Sequence, residues 1–345
     1  MSVLCGAKLS AVSVVLPKEC LDLASVYSDT KRIMQITGIK KVRVAPKNKT
    51  VSDYCTIAAE RLIQVLNFDR TLIDGIIFVS PQFDYILPGT AGIIQRRLDL
   101  KTNLVAFDIN QGCTGFIYGL FQGFMLVQNE TCQNVLVCCG DNPTRYINEK
   151  DKSLRMTTSD GASAFIVTKS EQDTKVPFAF FTDGRGLENL YIPAGGHRLP
   201  KKSGVTDLPV EDDEGNIRTL ENIHSNGTEL MKFDIDTADK ILNLALNEIN
   251  LTNENIDMYF LHQSSAFIIK RMIKKYKLDS EKVPICLENF GNIGPASIAL
   301  AMCHTAKEHR LNLSKVALLA FGAGLSCAAT ILDLSETYFL DLFFD

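Results

Sequence analysis

The chain has 345 residues, of which 46% are hydrophobic, and 36 basic against 40 acidic side chains leave a net charge of −4. This is enough apolar material for one large core or two fused ones, and the near balance of charge speaks against nucleic acid as the main partner. Ten cysteines lie scattered, without a CxxC pair or a histidine-rich cluster, so neither a metal nor a disulfide scaffold is expected, and a reducing cytoplasm is the simplest setting. The opening Ser2-Val-Leu-Cys-Gly-Ala-Lys8 lacks the basic-then-apolar pattern of a signal peptide, and no run of about 18 apolar residues suggests a membrane span.

In chain order, Val3–Val15 reads as a pair of strands with a turn, closed by Pro17. Val51–Leu66 is an amphipathic helix capped by Thr50 or Ser52. A buried strand is expected over Gly75–Ser80, a helix over Thr90–Leu98, a strand over 103–108, a helix over 113–127, and strands at Asn134–Cys139 and Ala162–Thr168. The second half repeats the rhythm: helix Asp236–Glu248, strand Met258–Leu261, helices Ala266–Lys275 and Ala296–Thr305, then strands Lys315–Phe321 and Cys327–Leu332. Buried strands alternating with helices indicate an α/β architecture. Two similar successions suggest two fused copies of one unit, residues 1–170 and 171–345. The polar stretch Gly195–Ile223 reads as a surface excursion within the second.

Four segments carry chemistry. In Asp108-Ile-Asn-Gln-Gly-Cys113-Thr-Gly, a cysteine stands where a buried strand gives way to a helix. Unpaired N–H groups of a first helical turn favour an anion, an environment that lowers a thiol's pKa and activates it as a nucleophile; a buried structural cysteine is the alternative. Of the histidines only His262 directly follows a buried strand, the place where open α/β sheets put ligands; a core histidine satisfied by backbone is the competing reading. Asn289-Phe-Gly-Asn-Ile-Gly-Pro-Ala-Ser297 is a glycine-rich helix entry that could bring an asparagine and backbone to a ligand, or an ordinary turn. Phe321-Gly-Ala-Gly-Leu325 ends a strand in a turn whose N–H groups could face an oxyanion, or is a plain hairpin.

In this order and at these intervals the four segments, together with Thr37-Gly-Ile39, Ser159-Asp-Gly-Ala-Ser163 and Leu190-Tyr-Ile-Pro-Ala-Gly-Gly196, give a chain that resembles the type III β-ketoacyl-acyl-carrier-protein synthases of the thiolase superfamily. The resemblance spans nearly the whole chain. It implies a thiolase-like fold, two βαβ-type halves stacked as α-β-α-β-α layers, and a decarboxylative Claisen condensation. Residue by residue, it implies that Cys113 takes the acyl group, that His262 and Asn292 donate hydrogen bonds to the malonyl-type thioester carbonyl, and that the N–H groups of Cys113 and Ala323 form an oxyanion hole. The family usually has glycine at the position of Ala323. No cofactor is implied beyond acyl-CoA or acyl-carrier thioester substrates. An acyl-carrier protein as partner and a homodimer are.

The chain also departs from the pattern. It has no tryptophan, and Arg32 and Ile36 stand where the family's nucleotide-clasping residues are expected. A carrier protein, or a differently held CoA, is therefore as plausible a donor as acetyl-CoA. Phe267 replaces an arginine, whereas Lys270, Arg271, Lys274 and Lys275 make a basic helix face suited to an acidic carrier; a merely solvated face is the alternative. Leu87 stands where a phenylalanine often caps the partner subunit's acyl pocket. The apolar tail, residues 333–345, is expected to dock along a groove. These departures favour a specialised lipid or secondary-metabolite pathway over housekeeping initiation of fatty acids. An acyltransferase with His262 as general base and a non-catalytic partner subunit are the alternative functions.

Overall fold

The computed structural model describes residues 1–27, 30–308 and 313–345. Its strands are β1 (Ser2–Leu4), β2 (Ala7–Leu16), β3 (Gly75–Val79), β4 (Val105–Ile109), β5 (Asn134–Asp141), β6 (Gly161–Lys169), β7 (Val176–Thr182), β8 (Met258–Leu261), β9 (Val316–Gly322), β10 (Ser326–Leu332), β11 (Tyr338–Phe339) and β12 (Phe343–Phe344). The principal helices are α1 (Lys31–Thr37), α2 (Val51–Val65), α3 (Thr90–Arg97), α4 (Gly115–Gln128), α5 (Gly227–Glu248), α6 (Ala266–Tyr276) and α7 (Ser297–Glu308).

One sheet runs β11-β2-β6-β5-β3-β4, with β12 also on the outer edge of β2; the other runs β1-β7-β10-β9-β8. Helices α4 and α7 lie between the sheets, where Phe116, Leu120, Phe124, Leu300 and Met302 meet Val137, Phe165, Phe178, Phe260 and Leu318 in one core. Helices α2 and α3 cover the outer face of the first sheet, and α5 and α6 that of the second. The layers are thus α-β-α-β-α, as expected for a thiolase-like fold.

The central layer follows from the composition of α4. Gly115-Phe-Ile-Tyr-Gly-Leu-Phe-Gln-Gly-Phe-Met-Leu-Val-Gln128 carries no charge, and a helix apolar all round belongs inside. Glycines four residues apart form a bare stripe. A Cβ on Gly119 would stand 2.8 Å from Val137 Cγ1, and one on Gly123 2.9 Å from Val167 Cγ2. The stripe lets the helix backbone settle onto β5 and β6 at a distance that side chains would forbid.

Most expected elements lie within a residue or two of their expected bounds; α1 was not foreseen, and four further differences stand out. β1 and β2 are not a pair: Gly6, with φ +69°, diverts the chain, so that β1 joins β7 and β2 joins β6. Strand β7 was not foreseen, because Pro177 and its polar approach hide it, yet it is flanked by β1 and β10. α5 starts at Gly227 rather than Asp236, where the Asn226 side chain accepts from the Glu229 N–H. The 333–345 tail does not lie in a groove. It adds to a sheet edge, with β11 and β12 pairing parallel to Ala11–Val12 and Val15–Leu16, since an open edge offers backbone partners that a groove lacks. Residues 195–223 form an excursion holding one short hairpin, Val210–Glu211 with Ile217–Arg218.

Replacing Gly119 with valine is expected to cost about 2 kcal/mol by overpacking against Val79 and Val137. Chemical denaturation measures it, and an unchanged midpoint would contradict the close approach.

Candidate active site

Cys113 and the Asn289–Ser297 loop are brought together by the central helices. Cys113 immediately precedes Thr114, the residue that opens α4. A Cβ on Gly115 would stand 3.1 Å from Pro295 Cβ, so the first turn of α4 sits against the entry of α7. Strand β9 closes the third side. A Cβ on Gly322 would lie 2.7 Å from Cys113 Cβ and 2.8 Å from its sulfur, so only glycine leaves room for the thiol there. β8 runs parallel to β9, and the N–H of His262 donates to Leu319 O at 2.8 Å. All four foreseen segments thus arrive at one end of the central layers.

Polar side chains fix the two turns next to Cys113. Gln111 Nε2 donates to Thr114 Oγ1 (2.5 Å) and Ser326 Oγ (3.1 Å), the latter lies 3.0 Å from Thr114 Oγ1, and Ser326 Oγ donates to Ala323 O (2.8 Å). Gln111, Thr114 and Ser326 therefore clamp the α4 entry to the β9–β10 hairpin. The N–H groups of Ala323 and of Cys113 itself act to lower the thiol's pKa. The Phe321–Leu325 segment is the turn of the β9–β10 hairpin. Sequence reading missed this clamp, whose one signal was an isolated polar residue, Ser326, opening an apolar strand.

The pKa expected for Cys113 is overturned. The residue as a whole is half-buried, yet desolvation of the thiol, reinforced by Asp141 and Asp234, pushes it up to about 12, against the pull of the two N–H groups. Cys113 lies outside the first turn that begins at Gly115, so the helix end is too weak to outweigh desolvation. His262 is 1% exposed, and its burial lowers it to about 3, so it is neutral at physiological pH. Asp141 and Asp234 are buried, each has an oxygen without a hydrogen-bond partner, and desolvation raises both to about 8.

The second contacts of His262 and Asn292 decide what each offers. His262 Nδ1 lies 2.6 Å from Ser297 Oγ, and that oxygen accepts from the Gln263 N–H at 3.3 Å. Ser297 is buried and its hydroxyl has no other acceptor among the described residues, so its proton points to Nδ1, which assigns the ring hydrogen to Nε2. Asn292 Oδ1 accepts from the Gly294 N–H at 3.0 Å, which leaves its NH₂ as the free end. Both side chains have their acceptors occupied and their donors available.

The outlying candidates fall in three places. Arg32 and Ile36 are exposed on α1, which lies against α6; a Cβ on Gly38 would stand 2.8 Å from Ala266 Cβ. On α6, Phe267 is partly exposed under the Arg271 guanidinium, 5.1 Å from its ring. Lys270, Arg271 and Lys274 are exposed and form no ion pair among the described residues, whereas Lys275 is engaged by Asp236 at 2.8 Å. Leu87 is 84% exposed beside Ile86, Tyr85 and Phe83, on the loop between β3 and α3. All ten cysteines are free. Among the described residues no group of His, Cys, Asp and Glu could hold a metal ion, and no helix is long and apolar enough to cross a membrane.

Comparison with known proteins agrees with this architecture. The 3-oxoacyl-[acyl-carrier-protein] synthase III family matches residues 107–184, and its C-terminal part matches residues 246–334. The β-ketoacyl-[acyl-carrier-protein] synthase III of Caldanaerobacter subterraneus is 34% identical over 302 residues, covering 87% of this chain and 88% of that protein. The same enzyme of Coxiella burnetii is 30% identical over 339 residues, covering 95% and 99%. The chain belongs to the 3-oxoacyl-acyl-carrier-protein synthase III family. A 2.1 Å crystal structure of a 3-oxoacyl-(acyl-carrier-protein) synthase III superposes with a TM-score of 0.92 at 32% identity, covering 95% of this chain and 99% of that one. The protein is therefore an acyltransferase-type condensing enzyme with a thiolase-like fold, of the kind that serves fatty-acid biosynthesis.

With a thiol pKa near 12, alkylation of Cys113 by iodoacetamide in the free enzyme is expected to rise about tenfold per pH unit from pH 7 to 10 without a plateau. Peptide mapping of the adduct follows it; a plateau near neutrality would mean a preformed thiolate.

Proposed function

We propose that Cys113, His262 and Asn292 carry the condensation. The observation behind this reading is that His262 and Asn292 each have the acceptor tied up and the N–H end free. Two uncharged donors suit a thioester carbonyl that becomes an enolate as carbon dioxide leaves, because neither can trap the electrons by giving up a full proton. In the first half-reaction Cys113 sulfur attacks the donor thioester and the acyl group moves to it. Because the thiol is neutral at rest, its proton leaves in step with attack and ends on the departing thiol. In the second, the malonyl-type carboxylate is lost as carbon dioxide, the resulting carbanion attacks the acyl carbonyl, and the Cys113 and Ala323 N–H groups hold the oxyanion. Collapse expels Cys113 as thiolate, which regains a proton from solvent.

The alternative of acyl transfer to an alcohol or amine needs an unprotonated Nε2 on His262. The hydrogen bonds through Ser297 favour the opposite tautomer.

Carrier-borne substrates fit the outer surface. The chain has no tryptophan, and α1 offers Arg32 and Ile36 in place of a nucleotide clasp, while Lys270, Arg271 and Lys274 present unpaired positive charge beside Phe267. An acidic acyl-carrier protein would dock there. The exposed Phe83–Leu87 loop supports a homodimer in which Leu87 caps the partner's acyl pocket. Two thiolase-like halves, residues 1–170 and 171–345, a cytoplasmic setting, catalysis without a cofactor and service in a specialised lipid or secondary-metabolite pathway complete the reading.

Intact-mass measurement after exposure to acyl-CoA and acyl-carrier thioesters is expected to place an acyl group on Cys113. Asn292→Asp should keep that adduct while carbon dioxide release from a malonyl thioester falls about 100-fold. Unchanged release would exclude Asn292, and absence of any adduct would favour a non-catalytic subunit. Reversing charge with Lys270→Glu and Lys274→Glu should raise KM for carrier-borne substrate roughly tenfold at low salt, with kcat little changed. Equal kinetics with both proteins would place carrier docking elsewhere.

A further inference from the structure

We propose that Phe344 and Arg43 are positioning residues for Asn292: the added edge strand β12 stacks Phe344 on Arg43, whose side chain and backbone hold the Asn289–Asn292 loop from both ends. The inference rests on the role given above to Asn292.

The chain of contacts is continuous. β12 pairs with Val15–Leu16, and beyond it the Asp345 N–H donates to Leu16 O (3.0 Å) while the Lys18 N–H donates to Asp345 O (2.8 Å). The side chain of Asp345 is also engaged by Lys49. Thus fixed, Phe344 places its ring 4.7 Å from the guanidinium carbon of Arg43. Arg43 Nε donates to Asn289 O (3.2 Å) and its Nη1 to Lys18 O (3.2 Å). The Arg43 backbone reaches the other end of the loop. Its N–H donates to Ser159 Oγ (2.9 Å), and its carbonyl accepts from Asp160 N (2.9 Å). Ser159 N–H then donates to Asn292 O (2.8 Å), and Asn292 N–H to Thr157 O (2.9 Å).

Arg43 is only partly exposed and forms no ion pair among the described residues. Two carbonyls and the π face of Phe344 are what oppose its hydration. Without the ring, a guanidinium with one open face turns toward water and its bond to Asn289 O competes with solvent. The segment carrying Asn292 also admits little slack from its neighbour: at Gly291, φ +63°, a Cβ would stand 2.4 Å from Ser159 Oγ. Loss of the stack would therefore be felt as motion of Asn292 relative to Cys113, and only in the half-reaction that needs Asn292.

The molecule supplies its own control. Phe343, one residue earlier and similarly exposed, stacks 4.4 Å from the guanidinium carbon of Arg61. Arg61 lies on α2 and donates to Asp341 O, with no hydrogen bond to the Asn292 loop among the described residues. Phe344→Ala and Phe343→Ala thus each remove one ring from one arginine, and only the first touches the route to Asn292.

The test compares Phe344→Ala, Phe344→Leu, Phe344→Trp and Phe343→Ala in the full chain. Two readouts are taken, the rates of Cys113 acylation and of carbon dioxide release from a malonyl thioester, and amide hydrogen exchange over residues 289–294. Phe344→Ala and Phe344→Leu are expected to slow carbon dioxide release about two- to fivefold, to leave acylation unchanged, and to speed exchange in 289–294 but not in β3 or β5. Phe344→Trp should restore the parent values, and Phe343→Ala should leave both rates and the exchange of 289–294 as they were. Equal loss of both half-reactions, unchanged exchange in 289–294, or the same effect from Phe343→Ala would overturn the proposal. If the parent protein itself released no carbon dioxide from malonyl thioesters, the role of Asn292 would fall, while the exchange comparison would still decide whether Phe344 holds the loop.

Discussion

Everything at the site depends on two apolar helices buried between two sheets. α4 lies close to β5 and β6 because glycines replace side chains along one stripe, and α7 shares the same core. Once both helices are committed to the middle layer, the first turn of α4 meets the entry of α7 through Gly115 and Pro295. Cys113 stands two residues ahead of α4 and Asn292 five ahead of α7, so the approach of the segments that carry them follows from packing rather than from any direct attraction between them. β9 then has to end in glycine, because the thiol occupies the space a side chain at 322 would need.

The same burial sets the electrostatics. Desolvation moves a thiol up to about 12, two carboxyls up to about 8 and an imidazole down to about 3, always toward the uncharged form. A resting site without charge favours hydrogen-bond donors over fixed ions. It suits a reaction whose negative charge appears only in transit, first on an enolate oxygen and then on a tetrahedral one. The Ser297 contact and the Gly294 contact matter because in such a medium the direction of each hydrogen bond, rather than net charge, distinguishes donor from acceptor.

The two ends of the chain cross between the sheets. Ser2–Leu4 completes the sheet built from residues 176–332, and residues 338–344 extend the sheet built from residues 7–169. Each sheet is thus closed by a strand from the opposite end of the sequence. This gives the apolar residues after 333 a partner in the edge of β2, with Leu340 buried and Phe343 and Phe344 roofed by arginines.

Sequence alone determined the α/β rhythm, because apolar runs of strand and helix length are local facts of composition. It also singled out Cys113, His262 and the glycine-rich turns 289–297 and 321–325, since strand ends and helix entries are punctuated by residues that need no partner to be recognised; the resemblance to the family then pointed to Asn292 and Ala323 within them. Tertiary structure decided what depends on distance. It separated β1 from β2 through a positive φ at Gly6, recovered β7 behind Pro177, and sent the tail to a sheet edge. It reversed the expected acidity of Cys113, because desolvation and the nearness of Asp141 and Asp234 are properties of the packed chain. Ser297, Ser326 and Arg43 gain their parts through partners distant in sequence, such as Gln263, Gln111 and Asn289, which lie 34, 215 and 246 residues away. Periodicity cannot register such pairs: a hydrogen bond between distant segments leaves no trace in the spacing of either one.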